Sequence, residues 1–378
     1  MKIDIQHRCA DAGSYRAARV KSLFNVDSGA QVDISADLPI EGLDWRVGAV
    51  VGPSGTGKSS IGREIFGADA IWPRQGWPDD APIIDAIAPD APFDRVTGAL
   101  YAVGLGSVPP WLRPYRVLST GEKFRAELAR VVCEAPPRVV IDEFTSVVDR
   151  QIARVGAMAF AKAWRRTGGQ AVVLSCHYDV LDWLQPDWVF DTKAGRFSGR
   201  WLRPRPPIEL TVRETDWGWW SYFEPHHYLK VPKMIAARCY VGFVAGEPVA
   251  HLAVSTRPGL TEARACRLVV MPEWQGAGLG VAFLNAVCAA WRRGRNSFGR
   301  PMPTLFHTSH PGLAAALRRH PLWAQVSANL YGAHRGRSAE SLRRSGNVTG
   351  RGFGGHFRAV QGFRYVEGIE RRAAGGDI

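Results

Sequence analysis

Two glycine-rich turns carry the residue types best suited to chemistry. The first reads Gly52-Pro53-Ser54-Gly55-Thr56-Gly57-Lys58-Ser59, with Ser60 behind it. Its G-x-x-x-x-G-K-S spacing follows the apolar run 47–51, which predicts a loop whose backbone amides turn inward on phosphates. Lys58 would neutralise the outer phosphate oxygens, and Ser59 would ligate Mg²⁺. The second reads Gln275-Gly276-Ala277-Gly278-Leu279-Gly280, between an apolar run and an amphipathic stretch. Amides at such a helix start form a positively polarised pocket suited to a pyrophosphate. Glycines also serve a tight strand-to-helix turn for steric reasons alone, and a dinucleotide-binding unit uses a similar turn. The pair predicts a nucleoside triphosphate in one half and a pyrophosphate-bearing carrier in the other.

A second set of acids belongs with the first turn. The run Arg138-Val139-Val140-Ile141 ends in Asp142-Glu143. Adjacent carboxylates at the end of a buried strand are costly unless they meet a cation or a proton. Asp142 is placed to hold the magnesium shell and Glu143 to polarise the attacking water.

With these residues the chain resembles the ABC-type ATPases. Leu118-Ser119-Thr120-Gly121-Glu122 resembles their signature motif, with Thr120 and Glu122 standing where a glycine and a glutamine are usual. Ser146-Val147-Val148-Asp149 resembles the D-loop, His177 stands at the switch-histidine position, and Gln75 is the candidate Q-loop glutamine. Phe24 is a candidate for stacking on adenine. The resemblance implies ATP and Mg²⁺ as ligands, and ATP hydrolysis. It also implies a homodimer in which the signature of one chain closes over ATP held by the P-loop of the other.

The order of strands and helices after residue 208, with Q-x-x-G-x-G between a strand and a helix, resembles the GNAT acyltransferases. That implies acetyl-CoA or another acyl-CoA, its pyrophosphate held by 275–280. Such chemistry needs a base for the attacking amine and an acid for the leaving thiolate. The resemblance implies a tyrosine on the helix near 313–319, and none is there; His310 or Ser309 could substitute, or Ser309 could simply cap that helix. His226 and His227 could act as a base, bind a metal or pack beneath the aromatic run 217–223.

The elements that must position these groups fall into two sets. Residues 1–200 alternate strand and helix signals, the pattern of an open parallel sheet. Residues 201–207 are basic and proline-rich, as a linker would be. Residues 208–378 predict a strand at 208–212, a hairpin from 240 to 254 and a strand at 266–271. A helix at 279–291, strands at 304–307 and 323–326, and a helix at 313–319 follow. The fold class expected is α/β: an N-terminal P-loop ABC-ATPase domain plus a C-terminal mixed α/β GNAT-like domain.

Charge separates the halves. Up to Arg205 there are 26 Lys and Arg against 24 Asp and Glu, a net of +2; beyond it 22 stand against 11, a net of +11. Arginine alternates with glycine and aromatics at Arg335-Gly336-Arg337, Arg343-Arg344, Arg351-Gly352-Phe353 and Phe363-Arg364-Tyr365. Such a surplus suits a nucleic acid, with aromatic faces stacking on unpaired bases. It also suits a solvated surface or the carrier's own phosphates. The basic region with 306–311 is similar to Mom-type phage proteins, which modify DNA bases. The six cysteines show no C-x-x-C pair and no apolar run reaches 18 residues, so the expectation is a cytoplasmic protein that does not cross a membrane.

The reading is an ATPase fused to an acyltransferase acting on nucleic acid. Alternatives are a nucleotide-gated regulatory protein with an inactive GNAT half, or an ATP-regulated acetyltransferase of a small amine or protein.

Overall fold

Val47, Ala49, Val50 and Val51 have no exposed surface. A strand without polar side chains can be buried on both faces, and this one lies in mid-sheet. The computed structural model describes residues 1–8, 13–24, 31–73, 75–201, 203–229, 233–234, 236–329 and 359–366.

Numbered in chain order, the elements begin with β1 (Lys2–Arg8), α1 (Tyr15–Phe24), β2 (Gln31–Asp37), β3 (Val47–Val51), α2 (Lys58–Phe66) and β4 (Ile71–Trp72). A helical stretch follows: α3 (Ile83–Ala86), α4 (Phe93–Ala102), α5 (Val108–Trp111) and α6 (Thr120–Glu134). Next come β5 (Arg138–Ile141), α7 (Arg150–Trp164), β6 (Gln170–Ser175), α8 (Val180–Leu184), β7 (Trp188–Asp191) and β8 (Arg196–Ser198). Then run β9 (Thr211–Thr215), α9 (Trp220–Phe223), β10 (Ala237–Val244), β11 (Glu247–Thr256) and β12 (Ala263–Val270). Last are α10 (Leu279–Arg292), β13 (Thr304–Thr308), α11 (Pro311–Arg319), β14 (Trp323–Asn329) and β15 (Val360–Tyr365).

Contacts divide the chain into two units. The first is Met1–Trp77 with Glu134–Pro206. Its sheet has the order β4-β5-β6-β3-β7-β8, parallel except for β8. Val51 pairs with Ser175 and Ile141 with Val173, so the strands that precede Gly52, Asp142 and Cys176 all end at one edge. A separate antiparallel pair, β1 and β2, adds Ile3 and Ala36 to the core formed by Ile61, Val140, Leu174 and Phe190. The start of β3 is pinned by Asp187, whose carboxylate accepts from the Arg46 and Val47 amides at 2.8 and 3.0 Å and pairs with Arg165 at 2.8 Å.

The second unit is Pro78–Cys133 with Pro207–Ile378. The helical stretch 78–133, which the sequence assigned to residues 1–200, therefore packs with the C-terminal part. The sheet here has the order β14-β15-β13-β12-β11-β10-β9 and is antiparallel except for β12 against β13. That parallel pair runs only from Ala263↔Thr304 to Ala265↔Phe306, and the rest of β12 is not paired with β13. A bulge interrupts the β11–β12 pairing between His251 and Ala253, with Arg267 in the left-handed region at φ 56°. Helix α10 returns from β12 to β13 and buries Leu279, Phe283, Leu284, Val287 and Trp291.

Two expectations change here. The strand placed at 208–212 runs instead at Thr211–Thr215, since Pro206 and Pro207 lack the donors a ladder needs. Phe363-Arg364-Tyr365 lies in β15, where Phe363 and Tyr365 face the core and Arg364 faces out. Alternation along a strand, not nucleobase stacking, accounts for that spacing. Arg335–Arg337, Arg343-Arg344 and Arg351–Phe353 lie outside the described residues.

Candidate functional site

The first turn leaves β3 and enters α2. Gly57 caps α2 at φ 82°, ψ 14°, a left-handed conformation that favours glycine, and no side chain caps the helix. The first-turn amides are therefore left for a ligand. Lys58 folds back on its own loop, with Nζ donating to Gly52 O at 2.9 Å and Pro53 O at 2.7 Å. Those carbonyls occupy the ammonium where phosphate oxygens would replace them. Thr56 Oγ1 shares a hydrogen bond with Thr192 Oγ1 at 2.6 Å, fastening the loop to the end of β7. Pro53, Ser54 and Gly55 are exposed, and Thr56 through Ser60 are half-buried.

Asp142 and Glu143 leave β5 at the same sheet edge. The Asp142 carboxylate accepts from the Glu143 amide at 2.8 Å and is half-buried. Glu143 sits at φ 48° with its side chain exposed, a strained backbone conformation for a non-glycine residue. Ser146 Oγ donates to Glu143 O at 2.6 Å, which steadies that turn. Asp149 caps α7, accepting from the Gln151 and Ile152 amides. At the end of β6, Ser175 Oγ donates to Phe144 O and accepts from the His177 amide, so the switch-position histidine is tied to the acid-bearing loop. Gln75 is exposed, three residues beyond β4, whose end is aligned with Ile141. Among the described residues no three His, Cys, Asp or Glu side chains gather to hold a metal.

The signature residues begin α6. Ser119 Oγ accepts from the Glu122 amide at 3.3 Å, and Glu122 accepts from the Ser119 amide at 2.8 Å. This is a capping box, a role that glutamate and glutamine both fill. Gly121 lies inside that first helical turn.

The second turn has a different construction. Gly278 caps α10 at φ 83°, ψ 0°, again with no side-chain cap, and a Cβ there would meet nothing within 4 Å. No cation belongs to the turn. Its opening is fixed by the Gln275 carboxamide, which donates to Val270 O at 2.9 Å and Ser107 Oγ at 3.3 Å and accepts from Gly106 N at 3.0 Å.

The candidate catalytic histidines separate. His310 is the cap of α11: its Nδ1 accepts from Leu313 N at 3.3 Å and its Nε2 contacts Gly106 O at 2.8 Å. Burial lowers its pKa. Both nitrogens are engaged, so the ring is a cap, and Ser309 is not the cap the sequence suggested. His227 is buried and closes a turn through Nδ1 on Leu229. His226 is half-buried and carries no hydrogen bond among the described residues.

Two residues were missed. Tyr228 Oη accepts from Ser309 N at 3.4 Å, which brings a phenol to the junction of β13 and α11 from about eighty residues away. No local pattern announces it. His251, on β11, is wholly buried among Trp217, Trp220 and Phe223. Its Nδ1 contacts Arg267 O at 3.3 Å and its Nε2 has no partner among the described residues; burial lowers its pKa to about 4.

Comparison with known proteins places the nucleotide-binding part. The cytochrome c biogenesis ATP-binding export protein CcmA of Rhodospirillum rubrum is 29% identical over 194 residues, 39% of this chain and 80% of that protein. An ABC transporter ATP-binding protein of Nostoc sp. is 32% identical over 120 residues; the match covers 32% of this chain and 41% of that protein. Among solved structures, cbiO1 of Clostridium perfringens aligns at a TM-score of 0.34 with 19% identity, covering 46% of this chain and 80% of that one. No family model matches the chain. The chain carries an ABC-type ATPase nucleotide-binding domain. Among the described residues, no helix is long and apolar enough to cross a membrane.

Proposed function

We propose that the protein couples an ABC-type ATPase to a GNAT-type acyl-CoA-dependent acyltransferase, and that the acceptor is a nucleic acid. On the ATPase side, Lys58 and the amides of 55–59 bind the phosphates, and Glu143 orients the attacking water. Mg²⁺, held at Ser59 and Asp142, supplies charge stabilisation when bound. Two chains close over two ATP molecules, each signature facing the partner's P-loop.

One observation carries the second half: β12 pairs with β13 only as far as Ala265 and Phe306, and the uncapped start of α10 lies against Val270 at the unpaired end of β12. A cleft between parallel strands with free helical amides at its end suits an acyl thioester lying between strands and a pyrophosphate on the turn. The sheet order β9 through β13, then β15 and β14, supports the same reading. In the transfer, the acceptor nitrogen bonds to the thioester carbon as the carbon–sulfur bond breaks. A base takes the nitrogen's proton, and the thiolate takes one from the Tyr228 phenol at the end of β13. His226, whose ring has no hydrogen bond among the described residues, is the candidate base.

The nucleic-acid acceptor is supported by the +11 charge of the second half and by Arg295, Arg300, Arg318, Arg319 and Arg364, all exposed. The Mom-type likeness points the same way. The test combines purified full-length protein, ATP, labelled acetyl-CoA and short DNA and RNA, followed by nucleoside mass spectrometry. An acetyl mass increment on a nucleoside, with salt-sensitive binding of the oligonucleotide, is expected. Acetyl-CoA binding without transfer to any oligonucleotide would remove the acceptor assignment.

A further inference from the structure

The loop Gly104–Ser107 touches both the turn that follows β12 and the start of α11 that follows β13. On the β12 side, Gly106 N and Ser107 Oγ hold the Gln275 carboxamide. Gly104 comes so close that a Cβ on it would lie 2.1 Å from Gln275 O, and its φ of 87° is left-handed. On the β13 side, Gly106 O meets His310 Nε2 at 2.8 Å, and the Tyr101 ring packs where a side chain on Gly312 would stand. The loop itself is braced by Trp111, whose Nε1 donates to Leu105 O at 2.7 Å.

The same segment continues into the signature. Helix α6 starts at the Ser119–Glu122 capping box, and six residues past Ser119 the buried Arg125 donates Nη1 to Pro272 O at 2.5 Å. Pro272 opens the short turn that delivers Gln275. The signature helix and the strap across the cleft thus grip the carrier turn at two points, 272 and 275. A displacement of α6 must move the turn or break these contacts, because packed interfaces have few soft directions.

We infer that Gly104–Ser107 and Arg125 are positioning residues that couple closure of the signature on ATP to the affinity of the cleft for acyl-CoA. This rests on the function proposed above. Coupling of this kind is reciprocal: whatever factor ATP imposes on acyl-CoA binding, acyl-CoA imposes on ATP binding.

Calorimetry on the full-length chain tests it, with acetyl-CoA titrated in the presence and absence of a non-hydrolysable ATP analogue, and the analogue titrated in the presence and absence of acetyl-CoA. Each Kd is expected to shift by at least about fivefold, by the same factor in both directions. Gly104→Ala, whose Cβ would press on Gln275 O, should drive that factor toward one and weaken acetyl-CoA binding on its own, while the ATP analogue alone binds within about twofold of the parent. Arg125→Gln, a milder change that keeps length and polarity, should reduce it partway. Both ligands binding with no mutual effect in the parent chain overturns the coupling and leaves the proposed function standing. Failure of acetyl-CoA to bind under any condition overturns both.

Discussion

The two glycine turns begin their helices with nearly the same backbone: Gly57 at φ 82°, ψ 14° and Gly278 at φ 83°, ψ 0°. Everything around them differs. The first has its own cation, and its loop is satisfied by its own carbonyls and by Thr192 at the next strand end. The second has no cation and owes its opening to a glutamine fixed by residues 168 and 169 positions earlier in the chain. A turn that neutralises a triphosphate can be nearly self-contained, since its own lysine brings the opposite charge to the phosphates. A turn that offers only amides must have its direction imposed from outside.

That contrast makes the largest prediction a double dissociation. Lys58→Ala should lower ATP affinity by two orders of magnitude or more, since a charge-assisted contact to phosphate is lost, and leave acetyl-CoA binding intact. Gly278→Asp should do the reverse, placing bulk and negative charge in the open space over the start of α10. Equilibrium binding of both ligands to both variants checks the pair. If either variant loses both ligands, the turns are not separate sites.

Tyr228→Phe comes next. Removing one hydroxyl should lower acyl-transfer kcat by about 10²-fold, within the usual range for a general acid, with the Kd for acetyl-CoA little changed. A rise in KM with kcat intact would reassign the phenol to substrate binding, and would leave protonation of the thiolate to solvent.

How much of this was legible follows from the same contrast. The P-loop, the Asp142-Glu143 pair and the signature-like run are neighbours in sequence, so the chemistry proposed for them can be read from their spacing. The carrier turn was legible as a turn, because Gly278 and the amphipathic α10 lie together. Its anchor was not: nothing in Gly104-Leu105-Gly106-Ser107 points to Gln275, and nothing in the segment 78–133 announces that it packs with residues 207–378. Tyr228 and His251 are invisible for a related reason. Their roles depend on a strand junction and a bulge made by residues far away, and a lone Tyr or His beside tryptophans ordinarily signals core packing. The aromatic spacing of β15 misled in the opposite direction, since alternation at period two looks the same whether the partner is a sheet core or a strand of nucleotides.

The smallest effect separates the two units by pH. In the first, burial raises the pKa of Asp187, but hydrogen bonds from Arg165 and the Arg46 and Val47 amides outweigh it and hold the carboxyl below 3.8. Its contribution is present above pH 3.8 and is lost only as pH falls through the lowered value. In the second, burial holds His251 near 4, against 6.5 in an open chain. Between those values the unfolded chain binds a proton that the folded sheet refuses, so stability falls as pH drops from 6.5 to about 4. Each unit of pH in that window costs about 1.4 kcal/mol from this residue alone. His307 and His310, also lowered chiefly by burial, add to the same limb. Thermal melts followed from pH 7.5 to 5.5 should therefore show the second unit weakening first, and His251→Phe should flatten that transition by about 1.4 kcal/mol at pH 5.5 relative to the parent. An acid limb unchanged in the variant would mean that His251 gains its proton without unfolding the sheet, and the bulge at Arg267 would then have to open to water.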